Sequence, residues 1–274
     1  LGISSISSVG EGEMKENVGS EDLLPVDALH AQVQCLILIA VLQRKTGQLT
    51  DALKYNHLAE TLLLRIKQRD NTSTTRITLT SGPGECNDSD ILERRAFSAE
   101  VMKVQSRYEE AEKVMREVTE RSVRARGANT VEAAVHMYSL ATILNKRGNS
   151  KEALDIFNTA LSTQMDLLGP SDVAVANTMN NIGVLLVSQD RFDEAQERFQ
   201  EALRIRQEVY GDLHADVAAS LNNLAGLHDM RNEYDAARPL YQEALQIRVR
   251  LFSKNHPAVA QTMNNLAQLQ VSTG

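Results

Sequence analysis

Residues 172–211 read DVAVANTMNNIGVLLVSQDRFDEAQERFQEALRIRQEVYG, and residues 215–252 read ADVAASLNNLAGLHDMRNEYDAARPLYQEALQIRVRLF. Shifted by 42 positions, Ala195 meets Ala237, Phe199 meets Tyr241, Ala202 meets Ala244 and Ile205 meets Ile247. The same step backwards reaches Ala153, Phe157 and Ala160, then Ala111, Met115 and Val118. Four consecutive units carry the period. A fifth, N-terminal unit fits with Ala40, Ala52 and Ala59 if 17 further residues intervene. A fixed period of this length marks a repeat array, in which each unit buries its apolar face only against its neighbours.

Within a unit the apolar residues follow helical spacing: Phe192, Ala195, Phe199, Ala202, Ile205 and Val209 advance by three or four and so share one face of a helix. Polar turns such as SQDR (188–191) and DMRN (229–232) split each unit into two helices. The pattern predicts pairs over 26–45/50–66, 90–105/108–125, 129–146/150–167, 171–188/192–209 and 213–230/234–251, then a single helix over 256–271. Ser171 and Asp172 suit a helix start, Pro257 a first turn, and Gly148 and Gly211 helix ends. Ala or Gly at 141, 183, 225 and 267 lets neighbouring helices approach closely. The fold expected is all-α, a solenoid of antiparallel helix pairs. The unpaired last helix predicts exposed apolar surface at Leu266 and Leu269.

Two segments fall outside the periodicity. Residues 1–22, rich in Ser, Gly and acid, read as a disordered leader ahead of an array over 23–274, and residues 67–90 read as a flexible polar insertion. The longest apolar run, CLILIAVL (35–42), is too short to span a bilayer and predicts a buried helix. Leu1 opens the chain with no charged-then-apolar signal behind it, which predicts a fragment of an intracellular, cytoplasmic protein.

The formal charge of −7 and the absence of Trp argue against a general nucleic-acid surface or base-stacking platform. Two cysteines in different settings, Cys35 and Cys86, imply no disulfide framework. No HExxH, paired CxxC, P-loop or GxGxxG motif is present, so neither enzyme chemistry nor a cofactor or metal is expected. His214 and His256 recur at equivalent helix starts, which the repeat itself accounts for.

Spacing and residue types resemble the tetratricopeptide repeat, with Gly183, Ala195, Phe199 and Ala202 at the small, Ala, aromatic and Ala sites of its consensus. The longer unit, with its (H/A)(P/D)xVAxxxNNLA opening, looks like the repeats of kinesin light chains, nephrocystin-3 and many bacterial repeat scaffolds. That resemblance implies a right-handed superhelix whose first helices line a concave groove. The protein would then be an adaptor holding an extended, acidic partner segment, as kinesin light chains hold cargo. The alternative is a structural subunit of a larger cytoskeletal or ciliary assembly held by its convex face, ends or loops.

The pairs Asn180/Asn181, Asn222/Asn223 and Asn264/Asn265 recur inside otherwise apolar first helices. A side-chain amide donates two bonds and accepts others, so a row of them can grip a peptide backbone without reading its side chains. By resemblance that task falls to Asn181, Asn223 and Asn265, while the first members equally suit a helix–helix seam. Tyr138, Asn145, Lys146 and Lys103 fall on inward registers, and Arg147, Arg191 and Arg231 lie near the turns, a basic set that would suit an acidic ligand.

Overall fold

Apolar residues at every third or fourth position, cut by short polar turns, fold as the helices that the spacing predicts. The computed structural model describes residues 26–72 and 88–273. They form α1 (Val26–Lys45), α2 (Leu49–Thr72), α3 (Asp88–Val104), α4 (Tyr108–Arg126), α5 (Val131–Arg147), α6 (Ser150–Leu168), α7 (Val173–Val187), α8 (Phe192–Tyr210), α9 (Ala215–Met230), α10 (Tyr234–Leu251) and α11 (Pro257–Thr273). Among the described residues there is no strand, and no helix is long and apolar enough to cross a membrane. The chain divides into two compact units, Leu1–Arg107 with α1 to α3 and Tyr108–Gly274 with α4 to α11. The leader expected over 1–22 lies outside the described residues. Of the insertion expected over 67–90, residues 73–87 lie outside them too, whereas 67–72 continue α2 and 88–90 begin α3.

In the first unit, α2 packs against α1 and α3 around Leu29, Val33, Ala59, Leu62, Ile66 and Ile91. Buried Asn56 ties α2 to α3, donating to the Arg94 carbonyl at 2.6 Å and the Ser98 hydroxyl at 2.8 Å. The buried helix expected at CLILIAVL needs correction: Ala40 is buried, but Cys35, Leu38 and Leu42 are exposed. One helix turns only one stripe toward its partner, so a continuous apolar run must leave part of itself outside.

In the second unit, α5/α6, α7/α8 and α9/α10 are hairpin pairs, with α4 against α5 and α11 against α10. The second helices begin at Tyr108, Ser150, Phe192 and Tyr234 and the first helices at Val131, Val173, Ala215 and Pro257, 42 residues apart in each series. Phe157, Phe199 and Tyr241 are buried with the alanines that flank them on their helices. Gly183 on α7 makes room for one of these rings, since a Cβ there would lie 2.6 Å from Cε1 of Phe199. The exposure expected at Leu266 and Leu269 is also corrected. Leu269 is fully buried and Leu266 partly so, packed with Ala225, Ala237 and Tyr241. The helical phase turns Met263 and Val271 outward instead, 55% and 83% exposed.

Helix ends repeat a physical task with changing residues. The N-cap slot holds Thr130, Asp172, His214 and His256, whose side chains accept from the backbone N–H of Ala133, Ala174, Asp216 and Ala258 at 2.7–3.2 Å. The two histidines use Nδ1 for this and stack on Tyr210 and Phe252. The turns inside the pairs α1/α2, α5/α6, α7/α8 and α9/α10 place Gly47, Gly148, Asp190 and Asn232 at positive φ, which closes the first helix and starts the second.

Gly183→Ala is expected to destabilise the protein by about 1–2 kcal/mol, because overpacking against a buried ring outweighs the better helix propensity of alanine. Urea unfolding measures it, and an unchanged or higher midpoint would show that Phe199 yields freely.

Candidate functional site

The phase that buries Met179, Ile182 and Leu186 of α7 turns Asn180 and Asn181 toward the neighbouring first helices. Asn181 Nδ2 donates to the Tyr138 hydroxyl at 2.9 Å, Asn223 Nδ2 to Asn180 Oδ1 at 2.9 Å, and Asn265 Nδ2 to Asn222 Oδ1 at 3.2 Å. Each bond runs from the second Asn of one repeat to the first Asn, or to Tyr138 in the same slot, one repeat earlier. Three rungs thus join α5, α7, α9 and α11. Asn181, Asn223 and Asn265 are half-buried, and among the described residues each keeps one N–H and its carbonyl oxygen. Asn222 is 8% exposed and serves the seam, whereas Asn264 is exposed and makes no side-chain hydrogen bond among the described residues.

Beside the last two rungs lies a pocket of about 340 Å³ between α7, α9 and α11. Asn222, Asn223, Asn265 and Gln268 give it an amide rim, and Val184, Val187, Leu227 and Met230 give it apolar walls. Phe199, Gly226, Asp229 and Tyr241 complete the lining. Burial pushes the Asp229 carboxyl above its ordinary value and, with Asp229 adding to it, pushes the Tyr241 hydroxyl up to about 12. Neither Gly226 nor Asp229 is among the sequence candidates. Their signal lies in departure from the repeat rather than adherence to it: the slot of Gly226 holds Thr142, Val184 and Gln268 in the sibling helices, and that of Asp229 holds Asn145, Val187 and Val271.

The basic candidates do not form one lining. Lys103 belongs to the first unit and pairs with Glu100 of its own helix at 2.5 Å. Arg147 pairs with Glu112 at 2.6 Å, Arg191 with Glu194 at 2.7 Å, and Arg231 with Asp193 and Glu233, both at 2.9 Å. Burial raises the Glu112 carboxyl, but hydrogen bonds from Arg147 and Arg116 outweigh that and hold it below the usual carboxylate range. Lys146 is exposed and Asn145 half-buried on α5. No cluster of three or more His, Cys, Asp or Glu that could hold a metal occurs among the described residues.

A tetratricopeptide repeat profile matches residues 95–166, 174–248 and 231–274. No curated protein matches the sequence. Among solved structures, BtubC (BKLC) from P. vanneervenii superposes with a TM-score of 0.64 at 21% identity, over 81% of this chain and 85% of that one. A putative kinesin light chain of Podosopora anserina with nearly identical TPR-like repeats gives 0.60 at 15%, over 84% and 100%. A Rap protein complexed with Competence and Sporulation Factor gives 0.63 at 14%, over 87% and 65%. At these identities the likeness is one of fold.

Sequence reasoning also passes over a buried polar clip between successive repeats. Gln164 meets Thr178 at 2.7 Å, Arg206 meets Ser220 at 2.6 Å, and Arg248 meets Thr262, always 14 residues apart. Arg206, 5% exposed, further donates to the Asp216 carbonyl at 3.1 Å and to Asn177 Oδ1 at 2.8 Å, so it reaches the first-helix face. Burial lowers its pKa, with Asp216 opposing, yet an arginine stays charged. Arg206→Ala is expected to cost about 2–4 kcal/mol, since it leaves a void and takes a partner from the buried Ser220 hydroxyl and from two half-buried acceptors, the Asp216 carbonyl and Asn177 Oδ1. Arg206→Gln is expected to recover part of that, because Gln164 spans the same gap. Equal losses for both variants in urea unfolding would mean that cavity formation alone sets the cost.

Proposed function

Because this chain belongs to the tetratricopeptide repeat family, a class of protein-interaction scaffold, we propose that it is an adaptor that lays an extended segment of a partner protein along the face formed by α5, α7, α9 and α11. The observation that carries this reading is the Asn ladder. Its rungs at Asn181, Asn223 and Asn265 are fixed by one bond each, and every rung retains a donor and an acceptor one repeat from the next. Groups held in place before binding lose little freedom when they bind, and amides aimed at a backbone serve many sequences. The fold likeness to a Rap protein complexed with Competence and Sporulation Factor and to kinesin light chain repeats supports a ligand-holding role of this kind. An acidic ligand draws no support from the arginines near the turns, which are engaged by the protein's own carboxylates.

The test is partner capture and affinity with Asn181, Asn223 and Asn265 all changed to alanine, read below the variant's own melting temperature because the same change removes the ladder. Three net hydrogen bonds of about 0.5–1.5 kcal/mol each predict a loss of roughly tenfold to a thousandfold or more. Partners retained at full affinity would sink the groove reading.

A further inference from the structure

The groove reading leaves open what the ladder admits besides backbone, and the pocket between α7, α9 and α11 bears on that. Gly226 lies mid-helix, where glycine weakens a helix relative to alanine. Gly183 has a packing reason to lack a side chain, but Gly226 has none: a Cβ there would meet only the Tyr241 hydroxyl at 3.4 Å, an ordinary contact. What the missing side chain does is keep the pocket open, at a slot its siblings fill with Thr142, Val184 and Gln268.

One turn further along α9, Asp229 brings a carboxylate into the same pocket, where α7 has Val187 and α11 has Val271. Its side chain makes no hydrogen bond or ion pair among the described residues. The nearby cationic and titratable side chains are committed elsewhere, Arg231 to Asp193 and Glu233, and His228 to Glu233 at 2.6 Å. The Tyr241 hydroxyl, at the end of an otherwise buried ring, likewise makes no hydrogen bond among the described residues. No lysine or arginine lines the pocket. Its walls at Val184, Val187 and Met230 are apolar, and Val184 and Met230 are 42% and 58% exposed.

We infer that this pocket receives an arginine or lysine side chain of the bound segment, its methylene stem against Val184, Val187 and Met230 and its cationic head at Asp229 and the Tyr241 hydroxyl. The inference rests on the groove reading. A purely apolar side chain would bury Asp229 without a partner, and an acidic one would meet a like charge. A basic side chain has both the apolar stem and the charge that the lining asks for. Burial already disfavours the ionised Asp229, and an inserted cation reverses that.

The test is selection of a displayed random dodecapeptide library on the whole chain, followed by fluorescence anisotropy with labelled synthetic peptides. Selected peptides are expected to share an arginine or lysine, and replacing it with norleucine should weaken binding about tenfold or more. Asp229→Asn, and Gly226→Val, which restores the side chain found at Val184, should produce the same loss and should not add to it. Gly226→Ala and Asp229→Asn should melt no lower than the parent, so a loss of binding in Asp229→Asn cannot be unfolding. Peptides that depend on Asn181, Asn223 and Asn265 but show no basic residue, or that bind Asp229→Asn unchanged, would overturn the pocket assignment and leave the groove reading standing. A library from which nothing is enriched would overturn both.

Discussion

The seating of a ring on each second helix against a small residue on a first helix is the contact on which the rest depends. Phe199 lies over Gly183 so closely that a single methyl would collide with it, and Tyr241 is buried with Ala225. Burying such a ring contributes about 1.5–3 kcal/mol, which is non-directional and sets no spacing by itself. The small residue supplies the geometry, because it fixes how near two helix axes come. Repeated at the same step, that separation brings side chains 43 positions apart to within 2.9–3.2 Å of each other in all three rungs of the ladder. A hydrogen bond needs this accuracy, whereas apolar packing tolerates more.

Around that contact the repeat conserves tasks rather than residues. The N-cap slot accepts a hydroxyl, a carboxylate or an imidazole because the free helix N–H groups need only an acceptor at the right distance. The buried clip accepts Gln with Thr, or Arg with Ser or Thr, because either pairing fills the volume and bonds the hydroxyl it buries, although Arg206 Nε is left without a partner among the described residues. Glycine is not required at the positive-φ turn either, where Asp190 and Asn232 stand in, residues that tolerate the left-handed region better than most.

This explains what was legible in the sequence. Helix boundaries, Asp172 as a cap, Pro257 in a first turn and the ring and alanine positions all follow from period and local propensity, and the structure places them within a few residues except at the end of α2, which runs on to Thr72. Exposure was harder to read. Cys35, Leu38 and Leu42 look like core in a string of apolar letters, but only a partner helix decides which stripe is covered. Leu269 was misjudged for the same reason, since the phase of α11 against α10 sets whether 269 or 263 faces inward. The clip was missed because its partners belong to different helices and no single-helix pattern contains both.

The same logic bears on how a repeat array acquires specificity. A ladder of equivalent amides offers each stretch of backbone the same donors and acceptors, so it favours extended chains in general and distinguishes few of them. Discrimination has to come from positions where one repeat differs from its siblings, and it is strongest where the difference has no structural use. Gly183 differs from Ala141 and Ala225 because Phe199 needs the space, so packing accounts for it. Gly226 and Asp229 sit one turn apart on α9 and face a single pocket, where one weakens its own helix and the other partly desolvates a carboxylate that has no partner among the described residues. Packing accounts for neither, and two unfavourable choices meeting at one place point to an interaction made outside the fold.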